Sequence, residues 1–298
     1  MPTADQKSGA CKATFLLLVL TAERKNMNSF MSWVGGKKNL RDAVLARFPP
    51  YYERYIEVFG GAGWVLFHKP PGADFEVYND FNSNLANLYR CVRDKPNRLK
   101  YKLRYVLNSR EDFDLTSSLH KRGILPKLYD VDRAAMFYQL IRYSYASGLD
   151  SFGSQPHSMW SDFPMIDLAA RRLQKVVVEN KDFERLIRQY DRPVSFFYCD
   201  PPYFATENYY KDVGFTAKDH IRLRDALLDI KGRFLVSYND CPEIREIWHK
   251  PNIHIEEISR LNNLAQRYDG GCQYAELLIS NYDTSERAKA IKQLSLFD

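Results

Sequence analysis

The tetrapeptide Asp200-Pro201-Pro202-Tyr203 places a carboxylate, two imino acids and an aromatic ring directly after the apolar run Val194–Cys199. An exocyclic amine of adenine or cytosine is a poor nucleophile, because its lone pair is delocalised into the ring. A carboxylate at Asp200 and the backbone carbonyl of Pro201 can accept the two amino hydrogens, which favours a lone pair that faces an electrophilic methyl group. Pro201 and Pro202 fix φ and donate no hydrogen bond, so the turn holds its acceptors rigidly. The tetrapeptide therefore predicts methylation of an exocyclic amine.

Tyr203 supplies a face on which a base extruded from a duplex can stack. The alternative is an ordinary strand-to-loop turn, in which the two prolines stop a helix and Tyr203 packs against the fold. A short motif is a hypothesis until its structural context agrees with it. The choice between these interpretations therefore depends on the elements that position the tetrapeptide.

A glycine-rich turn follows the first of these elements. Arg54–Phe59 reads as a buried strand that continues into Gly60-Gly61-Ala62-Gly63 and then into the helix-like Trp64–Phe67. Glycines between a strand and a helix let the backbone approach a ligand closely, as in nucleotide-binding α/β folds. Such turns serve many ligands, so this motif alone does not identify one.

Two further motifs flank the glycine turn. The second predicted strand, Phe75–Tyr78, ends in Asn79-Asp80, and an acid at such a strand end can bind ribose hydroxyls. The alternative role of Asp80 is to cap a helix that starts near Asn82, and the two roles are compatible. Upstream, the glycines of Ser32–Lys37 allow a tight backbone path and make Lys37 a fixed cation for a carboxylate or a phosphate. A helix-start loop with a solvated lysine is the alternative there.

These motifs, in this order, resemble the Dam-like DNA adenine-N6 methyltransferases, the alpha group of the amino-methyltransferases. The resemblance covers roughly residues 30–283 and rests on four motifs: Trp33–Lys37, Phe59–Gly63, Asp80 and Asp200–Tyr203. In this group the glycine turn precedes a long insert and the tetrapeptide follows it, which distinguishes it from other amino-methyltransferases.

The resemblance implies S-adenosyl-L-methionine as the methyl donor and a set of residues for each role. The implied catalytic residues are Asp200, Pro201, Pro202 and Tyr203. The implied cofactor-binding residues are Trp33, Lys37, Phe59, Gly60, Gly61, Gly63, Asp80, Asp182, Phe183 and Asp200. Among these, Asp182 and Phe183 belong to a segment that resembles the family's contact with the cofactor adenine.

Residues 85–165 correspond to the insert and are expected to carry target recognition. They contain 13 lysines and arginines against 8 acidic residues, a net charge of +5 out of +6 for the whole chain. A basic excess of this kind attracts phosphates without regard to sequence and predicts salt-sensitive DNA binding. The segment that resembles the family's recognition helix and loop gives the candidate DNA-recognition residues Arg142, Tyr143, Ser144, Tyr145 and Ser147. The family commonly has Asn-Gly where this chain has Ser147-Gly148, so the resemblance does not imply a target sequence.

Composition and alternation predict the fold class. A chain of 298 residues, 45% of them hydrophobic, can bury a sizeable core. Strands separated by helical stretches predict an α/β sandwich around a mainly parallel sheet, with later strands near Val176, Phe196, Phe234, Ile253 and Leu277. The resemblance makes this a Rossmann-like S-adenosylmethionine-dependent methyltransferase fold, with a reversed closing strand at Cys272–Tyr282 and an inserted, mainly helical target-recognition subdomain.

The expected organisation is a catalytic domain formed by residues 27–84 and 166–284, interrupted by the insert 85–165. The five cysteines, at positions 11, 91, 199, 241 and 272, form no close pair and have no histidine at metal-ligand spacing. This pattern fits a reducing cytoplasm and argues against a zinc site. Cys199 could be reactive beside Asp200, but a buried strand cysteine is the simpler interpretation.

The N-terminus has the outline of a secretory signal, with Lys7 and Lys12 before the short apolar run Phe15–Ala22. That run is too short to span a bilayer, and secretion conflicts with a cytoplasmic cofactor and DNA. Residues 1–26 are therefore interpreted as an added or misassigned start, and we expect them to be dispensable.

The C-terminal residues 285–298 are interpreted as a charged stretch that ends in an apolar pentapeptide. It resembles the motif by which bacterial replication and repair proteins dock on the sliding clamp: Gln293, Leu294, Ser295, Leu296 and Phe297. Apolar residues on a chain end usually serve a partner's pocket. The alternative is that they fold back onto the domain.

The sequence thus predicts a cytoplasmic, site-specific DNA adenine-N6 methyltransferase from a bacterium, a phage or a mobile element. Its expected partners are double-stranded DNA and, through the tail, the sliding clamp, with no membrane and no metal. Cytosine-N4 or RNA methylation would use the same chemistry and stays open at this point. A non-catalytic DNA-binding protein that retains the fold is the alternative of a different class.

Overall fold

The computed structural model describes residues 27–70, 72–204, 214–261 and 273–294. These residues form a seven-stranded sheet with helices packed on both faces. The strands are β1 (Arg54–Glu57), β2 (Phe75–Asn79), β3 (Val176–Glu179), β4 (Ser195–Cys199), β5 (Arg233–Asn239), β6 (His254–Leu261) and β7 (Gln273–Ser280). The helices are α1 (Arg41–Ala46), α2 (Trp64–His68), α3 (Ser83–Asp94), α4 (Pro96–Leu103), α5 (Arg110–Lys121), α6 (Asp130–Tyr143), α7 (Phe163–Leu173), α8 (Phe183–Tyr190), α9 (Ala217–Leu228), α10 (Pro242–Trp248) and α11 (Glu286–Leu294). Short 3₁₀ turns lie at Leu125–Lys127, Tyr145–Ser147 and Met159–Asp162.

The strand order is β3-β2-β1-β4-β5-β7-β6. Pairing is parallel from β3 to β5, whereas β7 runs antiparallel to both β5 and β6. Every residue of β4 is buried because both faces of the sheet are covered there, and the neighbouring strands β1 and β2 bury Glu57 and Glu76 among apolar residues. The predicted α/β class with a reversed strand near the C-terminus is confirmed.

Two apolar clusters cover the two faces of the sheet. On β1 the alternation of side chains sends Tyr55 to one cluster and Ile56 to the other. The Tyr55 cluster continues into the insert, where it includes Phe113 of α5 and Ile141 of α6. The insert therefore shares one core with this face of the sheet.

The predicted insert boundaries, 85 and 165, fall inside α3 and α7. Both helices contact β3 and also contact helices of the insert, so they join the insert to the sheet. Because continuous helices cross both boundaries, the described residues show no flexible linker there. None of the described helices is long and apolar enough to cross a membrane.

A charged group is buried where α2, β2 and α7 meet. Glu76 of β2 accepts two hydrogen bonds from the guanidinium of Arg172, at 2.6 and 3.0 Å, and forms an ion pair with Lys69. Arg172 also donates to the carbonyl of Leu66 at 3.0 Å. Burial lowers the pKa of Lys69, and the Glu76 carboxylate opposes that shift. This network fixes α7, at the end of the insert, against the sheet.

Candidate active site

The sequence motifs meet at the carboxyl edge of the parallel strands. Glu57 of β1 pairs with Tyr198 of β4, so the residues that follow these two strands leave the sheet side by side. The glycine turn follows β1, and Asp200 follows β4. The crevice at this edge is the usual ligand site of open α/β sheets.

Asp200 is held by two side chains. Lys37 Nζ lies 2.7 Å from Asp200 Oδ1, and Ser237 Oγ of β5 donates to the same oxygen at 2.9 Å. Burial raises the pKa of Asp200, the Lys37 ammonium opposes this, and the carboxylate of Glu276 adds to the increase. The raised pKa makes Asp200 a better proton acceptor than an exposed aspartate, provided that it is ionised.

Lys37 links Asp200 to Tyr203. Its side chain is only 5% exposed, and its Nζ lies 4.3 Å from the centre of the Tyr203 ring. A cation over a tyrosine face is attracted by the ring quadrupole. The lysine of the N-terminal motif therefore contacts both the acid and the aromatic ring of the tetrapeptide, although 163 positions separate Lys37 from Asp200 in the sequence.

The turn after β4 is attached to the neighbouring strands at two further points. The side chain of Asn239, at the end of β5, accepts from the Phe204 amide at 3.2 Å and donates to the Phe204 carbonyl at 3.4 Å. The hydroxyl of Tyr203 donates to Glu276 Oε2 of β7 at 2.6 Å. The sequence analysis did not predict Ser237, Asn239 or Glu276 as site residues. The sequence feature that could have identified them is the occurrence of polar residues in otherwise apolar strands.

The glycine turn is closed by Asp80. Asp80 accepts from the Gly61 amide at 2.9 Å and from the Asn82 amide at 2.8 Å. Burial raises the pKa of Asp80 to about 6. The residue that caps α3 is Asn82, whose side chain accepts from the amides of Asn84 and Leu85. The alternative role of Asp80 as the helix cap is therefore wrong, and its carboxylate orients the turn instead.

Trp33 packs against this turn. Gly61 has a φ of +49°, and a Cβ added there would lie 3.0 Å from the Trp33 ring. The segment before Trp33 is fixed on both sides, because Ser29 Oγ donates to the Ala62 carbonyl at 2.5 Å and Tyr138 of α6 donates to the Phe30 carbonyl at 3.1 Å. The N-terminal motif thus lies between the glycine turn and the insert.

Three aromatic rings lie together beyond the glycine turn. The ring centroids of Phe59, Phe183 and Phe215 are 5.7 to 5.9 Å apart. Next to them, Asp182 caps α8 by accepting from the amides of Glu184 and Arg185. Asp182 and Phe183, whose segment resembles the family's contact with the cofactor adenine, therefore lie at one aromatic corner with Phe59.

The five candidate DNA-recognition residues differ in their surroundings. Arg142 donates twice to the Asp162 carboxylate, both bonds at 2.9 Å, and Tyr143 and Ser144 are buried. Ser147 is buried as well, with its hydroxyl 2.6 Å from that of Ser32. Tyr145 is 62% exposed. In this conformation Tyr145 is the one member of the five whose side chain is presented to a partner.

The backbone that presents Tyr145 is unusual. Ala146, Ser147 and Leu149 have φ values of +49°, +59° and +66°, in the region that normally favours glycine. Each such residue costs free energy, on the order of 1 kcal/mol, and persists only when its surroundings hold it there. Such conformations concentrate at ligand-binding segments, which agrees with the prediction that this loop contacts the target.

Cys199 is buried within β4, and burial raises its pKa well above the ordinary value. The thiol is therefore protonated and packed, as the simpler interpretation has it. Within the ranges that the structure describes, no three His, Cys, Asp or Glu side chains are grouped so that they could hold a metal ion.

The sheet has one reversed strand, and the glycine turn and the Asp-Pro-Pro-Tyr turn lie at the ends of adjacent strands. Together these features define a methyltransferase of the α/β class. Comparison with known families gives the narrower assignment. The chain belongs to the D12 class N6 adenine-specific DNA methyltransferases, whose family model matches residues 33–263. The predicted family, fold class and adenine-specific DNA methyltransferase function are confirmed.

The chain is also similar to characterised proteins over most of its length. It is 30% identical over 287 residues to the Type II methyltransferase M1.LlaDCHI of Lactococcus lactis subsp. cremoris, covering 89% of this chain and 99% of that protein. It is 28% identical over 261 residues to the DNA adenine methylase of Escherichia coli K12, covering 79% and 89% of the two chains. A DNA adenine methylase of Vibrio cholerae is 26% identical over 259 residues.

Proposed function

We propose that this chain transfers a methyl group from S-adenosyl-L-methionine to the N6 amine of an adenine flipped out of duplex DNA. The observation that carries the proposal is the group formed by Asp200, Lys37 and Tyr203 at the carboxyl end of β4. In that group a partly buried carboxylate acceptor and an aromatic face are fixed relative to each other by one buried lysine.

The glycine turn and its neighbours fit the proposed cofactor. A Cβ at Gly60 would lie 2.1 Å from the Tyr78 ring, so only glycine allows the close backbone path that a nucleotide-type ligand needs. Asp80 supplies an acid for ribose hydroxyls, and the corner of Phe59, Phe183 and Phe215 supplies aromatic surface for an adenine. S-adenosyl-L-methionine, when bound, would supply a methyl group on a sulfonium centre.

The residues of the tetrapeptide act on the target base. Asp200 and the Pro201 carbonyl accept the amino hydrogens, which localises the nitrogen lone pair towards the methyl group. Tyr203 stacks on the flipped base, since such enzymes must take their target out of the helix. The methyl group moves in line to the nitrogen, and the excess proton leaves with Asp200 as its first acceptor. No covalent intermediate with the enzyme is required.

The insert is proposed to hold the duplex. Its net charge of +5 gives affinity for phosphates, and the strained loop with Tyr145 supplies contacts near the target base. Because S-adenosyl-L-methionine and DNA both occur in the bacterial cytoplasm, we propose that the protein acts there.

The proposal is tested by expressing the chain in a methylation-free bacterial host and sequencing the DNA by a single-molecule method that detects modified bases. Methyladenine at one short motif supports it and gives the target. Digestion to nucleosides distinguishes N6-methyladenine from N4-methylcytosine. A folded, expressed chain that leaves DNA unmodified, together with a null cofactor titration, would instead favour a binding-only protein.

The Gly60→Ala variant should lose stability and cofactor affinity together. The Tyr78 ring that the new methyl group meets is stacked on Tyr89 at 3.7 Å and donates to the Gly61 carbonyl at 2.7 Å, so it has little freedom to move. Overpacking of this kind costs about 1–3 kcal/mol. Urea unfolding and a cofactor titration measure the two effects.

The matched control is Gly148→Ala. Gly148 has a φ of −78°, and an added Cβ would meet its nearest neighbour at 3.4 Å, an ordinary contact. We expect this variant to keep wild-type cofactor affinity. Equal behaviour of the Gly60 and Gly148 variants would show that the turn can shift to accept a side chain and that the cradle is not selective for glycine.

The C-terminal pentapeptide is proposed to bind the replication sliding clamp. Its first two residues end α11, and Ser295–Phe297 lie outside the described residues, so the proposal depends on the sequence alone. Deleting residues 293–298 should abolish pull-down of the purified clamp and leave methylation of naked DNA unchanged. A Ser295→Ala variant, which keeps the three apolar residues, is the control. Undiminished clamp capture by the deletion variant would remove this proposal.

A further inference from the structure

Glu276 is a buried carboxylate in the closing strand of the sheet. It lies on β7 opposite Asn239 of β5 and Ile258 of β6, and it is 1% exposed. Its neighbours along β7, Leu277 and Leu278, are apolar core residues. Burying a carboxylate among apolar residues costs free energy unless the carboxylate accepts hydrogen bonds. We therefore expect a neighbouring side chain to donate a hydrogen bond to Glu276.

The partner is the tyrosine of the tetrapeptide. The Tyr203 hydroxyl donates to Glu276 Oε2 at 2.6 Å, a distance typical of a bond to an ionised acceptor. A hydrogen bond at the far end of a tyrosine restrains χ1 directly, and it favours one ring plane because the phenolic O–H prefers to lie in the plane of the ring. Among the described contacts of this turn, Lys37 lies over the ring face, the Tyr238 ring lies 6.3 Å from the Tyr203 ring, and Asn239 holds the backbone of Phe204. Glu276 is therefore the attachment that fixes the hydroxyl end of the ring.

We propose that Glu276 is a positioning residue that holds the Tyr203 ring at the angle at which a flipped adenine stacks on it. The inference rests on the function proposed above, in which Tyr203 is the stacking surface. Stacking on an aromatic side chain changes base affinity by about 10- to 100-fold, and a ring free to tilt would lose much of that gain. Glu276 does not touch the base in this proposal and orients the ring through the hydroxyl of Tyr203.

The test compares Glu276→Leu, Glu276→Gln, Tyr203→Phe and the Tyr203→Phe/Glu276→Leu double variant. Duplex DNA with 2-aminopurine at the target position reports base flipping by its fluorescence, and steady-state kinetics give kcat and KM for DNA. We expect Glu276→Leu to lower the flipping signal and to lower kcat/KM by about 10- to 100-fold, with cofactor affinity unchanged. Glu276→Gln keeps an acceptor for the Tyr203 hydroxyl. We therefore expect its flipping signal and its kcat/KM to stay close to those of the wild type.

The double variant separates action through Tyr203 from a general structural effect. If Glu276 acts through the hydroxyl, then removing both groups costs no more than removing one, whereas independent effects would multiply. Glu257→Gln on the adjacent strand β6 is the control, because Glu257 is paired with Arg245 and not with the tetrapeptide. Melting curves show whether each variant folds, and Tyr203→Phe, which removes the same hydrogen bond from its other end, provides the measurement if Glu276→Leu does not fold.

Two results overturn the inference by itself. One is an active wild type whose Glu276→Leu variant, or Tyr203→Phe if the first fails to fold, keeps wild-type base flipping and kcat/KM, or whose double variant shows the product of the two single effects. The other is a Glu276→Gln variant as impaired as Glu276→Leu, which would assign the effect to the charge and not to the bond. A wild type that methylates no adenine overturns the proposed function, and the inference with it.

Discussion

Replacing Asp200 by alanine should abolish adenine methylation while leaving the protein folded. The change removes the carboxylate that we propose accepts a hydrogen of the target amine and localises its lone pair. Removing one group that stabilises developing charge in an enzyme site typically lowers kcat by about 10²- to 10³-fold. We expect at least that loss here, because Asp200 also anchors Lys37 at 2.7 Å and so sets the position of the cation beside Tyr203. Single-turnover methyl transfer to a duplex of the identified target sequence measures the loss.

The neighbouring parallel strand offers a matched control. Asp240 follows β5 as Asp200 follows β4, but its carboxylate is paired with Arg245 at 2.6 and 2.7 Å. Asp240→Ala should therefore retain methyl transfer. Asp200→Asn separates shape from charge, because it keeps the side-chain volume and loses the ion pair with Lys37. Methylation by Asp200→Ala at the wild-type rate, in a chain that melts normally, would remove Asp200 from the mechanism and the proposed chemistry with it.

The sequence predicted the elements whose signal is local. The segments before the glycine turn and before Asp200 were predicted as buried strands, and the structure has strands there at Arg54–Glu57 and Ser195–Cys199. Parallel strands end at the same edge of a sheet, and the turns that follow these two strands meet because β1 and β4 are neighbours in the strand order, which the sequence did not show. The reversed last strand was implied by the family resemblance and is confirmed.

The contacts that complete the site were beyond the reach of sequence patterns. The bond between Tyr203 and Glu276 joins residues 73 positions apart, and its existence depends on β7 lying beside β5 and not at the end of the sheet. A lone glutamate in an apolar strand indicates a buried polar role but does not indicate which partner it serves. The same limit applies to Ser237, whose hydroxyl reaches Asp200 only because β4 and β5 are adjacent.

The insert shows a different limit. Charge and family resemblance indicated which segment would face DNA, but they do not show which polar side chains are already engaged within the protein. Arg142 is held by Asp162, and Ser147 contacts Ser32 beside the cofactor motif. Tyr145 is exposed, and the two residues after it, Ala146 and Ser147, adopt positive φ, which no local propensity predicts for these residue types. The target sequence therefore has to be measured.

Replacing Glu76 by leucine should destabilise the protein more than any change at the surface. The substitution leaves Lys69, which is 1% exposed, without its carboxylate, and it frees the guanidinium of Arg172 that fixes α7. Burial alone would raise the pKa of Glu76, but Lys69 and Arg172 outweigh that effect and hold it below its ordinary value, so the carboxylate is ionised in the folded state. Breaking a buried pair by removing one partner costs about 3–5 kcal/mol. Urea unfolding of the purified variant gives the change in the free energy of unfolding.

A surface pair and a combined substitution test whether this cost arises from the buried charge. Glu256 is paired with Arg47 at 2.5 Å but is 35% exposed, so Glu256→Leu should cost less than about 1 kcal/mol. In the triple variant Lys69→Met/Glu76→Leu/Arg172→Met no charge is left uncompensated, and apolar replacement of a buried ionic group is often neutral. We therefore expect the triple variant to recover most of the stability that Glu76→Leu loses. If the triple variant were the least stable of the set, the network would be a net source of stability, and α7 would depend on these ion pairs and not on apolar packing for its place against the sheet.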